Sequence, residues 1–213
     1  MAKAYIFDMD GTMVDNMMVH HRAWQRQLAE YGLELTLEEV KAQIHGINEE
    51  IIARLFGDRF SPEERRRIAR EKEAAYREIF LPELRLIEGL NEFLQHAAAL
   101  GIPMGIGSAA PPENVDFVLD NLQLRPLFQA VVHSKMVGKG KPDPEVFLKV
   151  AEQLQVTPAD CLLFEDSPTG VEAGRRAGMP TVVVATTHAP EEFAGFENVV
   201  KIVQDFRGIS NVQ

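Results

Sequence analysis

Residues 6–15 read IFDMDGTMVD, which places Asp8, Asp10 and Asp15 around one Gly-Thr turn, directly after the apolar run AYIF at 4–7. Like charges at this density repel, so the turn calls for a cation, a reaction, or both. The run in front of it decides the fold. Comparable runs recur at long intervals: PMGIG (103–107), AVVH (130–133), CLLF (161–164), TVVVA (181–185) and VVKIV (199–203). Their continuous apolarity suits strands buried on both faces of a parallel sheet. Helical patterns at 89–100, 112–122, 143–154 and 168–177 separate them, the last stopping at Gly178. Strand and helix alternate, which predicts a doubly wound α/β core.

Residues 15 to about 87 break that rhythm. They hold no strand-like run but several helix starts: Thr36 with Glu39, and Ser61 with Pro62 and Glu64, both read as capping boxes. A helical bundle inserted after the first strand is expected over 15–87, with the α/β core made of 1–14 and 88–213. Asp15 is read as the N-cap of the first inserted helix. Hinges are expected near 14–16 and 84–88. The run Arg65-Arg66-Arg67, with acidic neighbours at 63, 64 and 71, reads as a solvated helix face.

The 213 residues suffice for one large domain or a core with an insertion. Acidic residues number 32 and basic ones 22, a formal charge of −10. Such a surface repels nucleic acid and anionic membrane, so neither is an expected partner. A phosphorylated small molecule binds only where a metal or lysine inverts the local field. No targeting signal is visible, and no run approaches the roughly 18 apolar residues of a membrane span. A cytoplasmic monomer is expected. The lone Cys161 falls inside CLLF and reads as a buried core thiol.

Ligands of an open parallel sheet bind at the carboxyl ends of its strands. Asp8, Asp10 and Thr12 follow the first run, Ser108 the second, Lys139 and Lys141 lie beyond the third, and Glu165, Asp166 and Ser167 follow the fourth. Four strand ends thus bring carboxylates, a hydroxyl and a lysine to one rim. Several carboxylates sharing a cleft need a cation, and their hard oxygens favour magnesium. The chemistry these groups suit is phosphoryl transfer. One carboxylate can attack phosphorus, and a second can protonate the leaving oxygen. A lysine and a hydroxyl can steady the charge spreading over the phosphoryl oxygens. Lys139 reads as a solvated neighbour of Lys141, and Ser167 as a helix cap or a member of the site. GIGSAA (105–110) matches a dinucleotide fingerprint but lacks the acid about 20 residues on, so its glycines are read as packing positions.

DMDGT after a strand, Ser108 after another, Lys141 before Pro142, and EDS at 165–167 resemble the four signature motifs of the haloacid dehalogenase superfamily. The resemblance spans the chain, and the helical insertion is similar to that superfamily's α-helical cap. It implies Asp8 as nucleophile, Asp10 as general acid/base, and Ser108 with Lys141 as binders of the transferring phosphoryl group. It also implies magnesium on Asp8, the Asp10 carbonyl and Asp166, with Glu165 either a further ligand or an orienter behind them. An aspartate at the acid/base position points to phosphate esters rather than dehalogenation.

VHHRAW and HGINEE resemble the β-phosphoglucomutase-like branch, which implies substrate-binding roles for His20, Trp24, His45 and Asn48 in the cap. Trp24 as cap core is the competing reading. Mutases of that branch hold a second phosphate with a cap arginine and two polar residues after the motif serine. The aligned positions here are Glu49, Ala110 and Pro112. A carboxylate facing a phosphate dianion is repulsive, so a monophosphate phosphatase acting on a sugar phosphate is expected. Mutase, inorganic pyrophosphatase and non-catalytic phospho-switch are the alternatives.

Overall fold

The computed structural model describes residues 2–44, 46–207 and 209. The chain divides into two compact units, Met1–Asp15 with Arg85–Gln213, and Asn16–Leu84.

The first unit is built on a parallel sheet of six strands: β1 (Ala4–Phe7), β2 (Met104–Gly107), β3 (Ala130–Val132), β4 (Cys161–Glu165), β5 (Thr181–Val184) and β6 (Val199–Val203). Their spatial order is β3-β2-β1-β4-β5-β6. Helices α5 (Leu90–Ala99), α6 (Pro112–Asn121), α7 (Glu145–Leu154) and α8 (Pro168–Ala177) form the connections. The chain winds outward from β1 to β3, then crosses back to β4 and winds the other way. The switch point therefore falls between β1 and β4, where an open α/β sheet offers a crevice.

Alternation along β1 sends side chains to two cores. Ala4 and Ile6 join Val146, Phe147 and Val150 of α7 and Ala173 and Ala177 of α8. Tyr5 and Phe7 point the other way into an aromatic cluster. There Phe7 stacks on Phe164 at 4.8 Å, and Phe93 of α5 lies 5.3 Å from Phe164. The GIGSAA glycines serve that packing: Gly105 and Gly107 lie within β2. A Cβ on Gly105 would stand 2.4 Å from Val150 Cγ1, and one on Gly107 2.8 Å from Phe147 Cδ1.

One strand departs from the expectation of burial on both faces. Val200 and Ile202 of β6 are exposed; β6 lies at one edge of the sheet and pairs with β5 alone.

The second unit holds α1 (Met17–Glu30), α2 (Leu37–Gln43), α3 (Asn48–Phe56) and α4 (Pro62–Phe80). Both predicted capping boxes are present, at Thr36/Glu39 and Ser61/Glu64. Trp24, Leu28, Val40, Ile51, Ile52 and Ile68 form its core. The start of α1 differs from expectation. Asn16, not Asp15, is the N-cap, and Asn16 Nδ2 donates to the Tyr76 hydroxyl at 2.7 Å instead of capping the helix. No helix among the described residues is long and apolar enough to cross a membrane.

The glycine packing generates a direct test. Gly105→Ala should lower the unfolding free energy by about 1–3 kcal/mol through overpacking against the β-branched Val150. Gly195→Ala, with nothing near its Cβ position, should stay within about 0.5 kcal/mol of the parent. Urea denaturation measures both, and equal effects would contradict the close α7–sheet contact.

Candidate active site

The register of the sheet builds the site. Phe7 pairs with Ile106 on one side and Phe164 on the other, so the residues that follow emerge side by side. Asp8 N–H still donates to Phe164 O at 2.9 Å, and Ser108 N–H to Val132 O at 2.9 Å. Beyond Asp8 the chain turns sharply at Gly11, whose φ of 85° suits glycine alone. The turn also needs a missing side chain, since a Cβ there would stand 2.2 Å from Asp166 Oδ2.

Lys141 reaches in from the segment before α7. Its Nζ donates to Asp8 Oδ1 at 2.5 Å and to Glu165 Oε1 at 2.8 Å, and lies 4.6 Å from the Phe147 ring centroid. Asp8, Glu165 and Asp166 are buried, with one carboxylate oxygen from each lying within 4.8 Å of the others. Two like charges at that separation repel by about 3–4 kcal/mol at an effective dielectric constant of about 20. Burial, with the Glu165 and Asp10 charges nearby, pushes the Asp8 carboxyl above the usual range, and Lys141 pulls the other way. Burial likewise pushes Asp166 up, reinforced by Glu165 and Asp8. Burial alone would lower Lys141, but the two carboxylates outweigh it and hold the ammonium above its ordinary range.

Asp8, Glu165 and Asp166 with Lys141 carry a formal charge of −2 when all are ionised, before Asp10 is counted. That charge, on oxygen donors, fits one divalent cation. Glu165 is the least available donor. Its Oε1 holds Lys141, and its Oε2 accepts from Asp166 N–H (2.7 Å), Ser167 N–H (2.7 Å) and Ser167 Oγ (3.1 Å). Gly170 makes room for it, since a Cβ there would fall 1.6 Å from Glu165 Oε1. Ser167 is also the N-cap of α8, accepting from Gly170 N–H at 3.1 Å. Ser167 thus caps α8 while its N–H and hydroxyl also bond Glu165.

Comparison with known proteins bears on what this rim belongs to. The family model of haloacid dehalogenase-like hydrolases matches residues 2–178. The chain belongs to that family. It is 32% identical to the fructose-1-phosphate phosphatase YqaB of Escherichia coli (strain K12) over 182 residues, covering 84% of this chain and 94% of the relative. It is 30% identical to the β-phosphoglucomutase of Bacillus subtilis (strain 168), covering 85% and 83%. A crystal structure of a family IA, variant 3 haloacid dehalogenase hydrolase from Entamoeba histolytica superposes with a TM-score of 0.88. The identity is 23%, and coverage is 98% of this chain and 95% of that one. This last likeness concerns the fold.

Of the residues that carry the dehalogenase-like motifs, Asp8, Lys141, Glu165 and Asp166 meet in one buried cluster. Asp10 follows Asp8 on the same turn, and Ser108 is buried at the end of the neighbouring β2. Ser108 Oγ accepts from Ala110 N–H at 3.0 Å. Lys139 is exposed, as expected of a solvated neighbour. Cys161 is buried in β4, and burial pushes its thiol up to about 11.

His20, Trp24 and Asn48 belong to the helical unit, and His45 lies outside the described residues. Trp24 is only 2% exposed and packs in the core of that unit. His20 stacks on Tyr76 at 4.0 Å, and its Nδ1 lies 2.9 Å from Lys72 Nζ. The ammonium carries only donors, so Nδ1 accepts. Lys72 also donates to Glu73 Oε1 at 2.9 Å, as does Asn48 Nδ2 at 2.7 Å. Sequence reading missed Lys72, although a lysine at the α4 position between Ala69 and Tyr76, on the face that carries Ile68, was a visible irregularity. It placed Thr12 at the rim without a partner, where its Oγ1 donates to Asp166 Oδ1 at 3.4 Å, and it missed the threonines after β5.

Burial, with Lys72 and His21 adding to it and Glu73 opposing, lowers the His20 imidazole to about 3. An unfolded histidine titrates near 6.5, so the unfolded chain takes the proton first. Stability is therefore fully present above about pH 6.5 and falls as pH drops towards 3. Denaturation of the wild type and His20→Gln from pH 7 to 4 should show a flatter profile for the variant. Parallel profiles would contradict a neutral, partly buried imidazole.

Proposed function

We propose that the chain is a magnesium-dependent phosphatase of small phosphomonoesters, a sugar phosphate in particular, working through an aspartyl-phosphate on Asp8. The observation that supports this most is the convergence of Asp8, Lys141, Glu165 and Asp166 on one rim with a charge deficit that suits a divalent ion. The phosphatases among the relatives support the substrate class.

Asp8, the Asp10 carbonyl and Asp166 would hold the cation, with Glu165 as the group that aims Lys141 rather than a direct ligand. Bound there, magnesium supplies positive charge to the carboxylates and the phosphoryl oxygens. Lys141 fixes the Asp8 carboxylate and offers its ammonium to the phosphoryl group. The Ser108 hydroxyl uses a lone pair on Ala110 N–H, which leaves its proton for a phosphoryl oxygen. In the first step an Asp8 oxygen forms a bond to phosphorus as the ester P–O bond breaks. The leaving oxygen takes the Asp10 proton. In the second step Asp10, now a carboxylate, takes a proton from water, the water oxygen bonds to phosphorus, and the P–O bond to Asp8 breaks. Phosphate leaves and both aspartates return to their starting states.

We infer that His20 and Asn48 of the helical unit recognise the rest of the ester, whereas Trp24 packs in that unit's core. Mutase activity is the second reading. Glu49 and Glu50 occupy the first turn of α3, where carboxylates complement the helix dipole and offer a phosphate no cation. Ala110 and Pro112 supply no side-chain donor either, so hydrolysis is favoured.

Phosphate release from a panel of sugar phosphates, followed beside conversion of β-glucose 1-phosphate to glucose 6-phosphate, decides between them. Release should require magnesium, vanish with EDTA, and fall at least about 10³-fold in Asp8→Asn. Asp10→Asn should lose about 10²–10⁴-fold in kcat on esters with poor leaving groups. Isomerisation without phosphate release would overturn the phosphatase reading.

A further inference from the structure

We propose that Thr187, itself held by His188, is a positioning residue that aims the Asp166 carboxylate at the divalent cation; this rests on the reading of Asp166 as a ligand given above. The segment after β5 brings three polar side chains to the same rim. Thr186 Oγ1 donates to Gly11 O. Thr187 Oγ1 touches Asp166 Oδ2, lies 3.2 Å from Asp166 O, and lies 2.9 Å from His188 Nδ1. Two adjacent threonines thus tie the β5 loop to the aspartate turn and to the loop after β4.

The direction of these bonds follows from proton counting. A threonine hydroxyl has one proton and two lone pairs. Three neighbours surround it: a carboxylate oxygen, a carbonyl oxygen and a ring nitrogen. Bonds to ionised acceptors are the stronger ones, so the proton goes to the carboxylate oxygen, Asp166 Oδ2. His188 Nδ1 is then left facing an oxygen lone pair and must carry its own hydrogen. The relay runs from His188 Nδ1–H to Thr187 Oγ1, and from Thr187 Oγ1–H to Asp166 Oδ2. Thr12 holds the other oxygen, Oδ1. Each Asp166 oxygen is anchored by one hydroxyl and keeps a further lone pair for a cation.

Packing restricts the alternatives. The Cβ position of Gly11 is 2.2 Å from Asp166 Oδ2 and 3.0 Å from Thr187 Cγ2, so the turn, the carboxylate and the threonine methyl are in mutual contact. Asp166 has no room to swing towards the turn when the hydroxyl is lost. Partners behind metal ligands typically carry a 10–100-fold effect on metal affinity.

Calorimetric titration of the substrate-free protein with Mg²⁺ tests the relay without reference to turnover. Thr187→Val, which keeps shape but removes the hydroxyl, should raise the Mg²⁺ Kd about 10–100-fold. Thr187→Ser should bind within about 3-fold of the parent, because it restores the hydroxyl. His188→Ala should weaken binding and His188→Asn, whose amide can donate, should recover it. At saturating Mg²⁺, KM for the ester should stay within about 2-fold in all four, which a general structural lesion would not spare. Asp166→Asn separates the two levels. If it loses Mg²⁺ binding while Thr187→Val binds normally, the relay is wrong and the ligand assignment stands. If Asp166→Asn itself binds Mg²⁺ normally, both are overturned. Should Thr187→Val fail to fold, the His188 pair and Thr187→Ser decide the matter by the same titration.

Discussion

The contact on which the site depends is the Lys141 ammonium, lodged between the carboxylates of Asp8 and Glu165 and 133 and 24 residues from them in sequence. Its value is conformational as well as electrostatic. A buried ion pair is weak evidence of stability, since desolvation offsets much of the attraction. Here the ammonium does something an apolar contact could not: it holds two carboxylates close together, one from β4 and one from the turn after β1. Glu165 reinforces this by spending its second oxygen on the start of α8, so the helix, the strand and the lysine are fixed as one piece.

The sheet register and two glycines of the first unit position that contact. The β1–β4 register sets Asp8 beside Glu165, and the switch in winding direction leaves their ends uncovered by a connection. Glycines are placed where a side chain would collide with the acidic groups: Gly11 against Asp166, and Gly170 against Glu165. These are constraints of space rather than of helix or strand propensity. They explain why a turn crowded with aspartates also contains a residue that adds no chemistry.

Much of this was legible in the sequence, and the reasons are physical. Continuous apolar runs marked buried parallel strands, and charged residues after those runs stood out because strand ends are where an α/β sheet exposes them. The capping boxes at Thr36 and Ser61 were readable because their signal is local. What could not be read depended on distance or on uncharged groups. Thr186 and Thr187 also follow an apolar run, but no charged residue stands beside them there to mark a site, as Asp8 and Asp10 do for Thr12. The part-exposed β6 looked like its neighbours because edge position is a property of the sheet, not the strand. Asn16 rather than Asp15 stands at the N-cap, and its side chain goes not to the helix end but to Tyr76, 60 residues away, which no local signal announces. Trp24 could have faced either way, and tertiary packing placed it in the core of the helical unit.

The central claim is that the Asp8 oxygen steadied by Lys141 takes the phosphoryl group. Its most direct test is acid quench of a single turnover with magnesium, followed by borohydride reduction and peptide mass analysis. The account predicts conversion of residue 8, and of no other aspartate, to homoserine, appearing and decaying within one turnover and absent without magnesium. Full phosphate release with residue 8 unmodified at every time point, or with the label on another side chain, would contradict it.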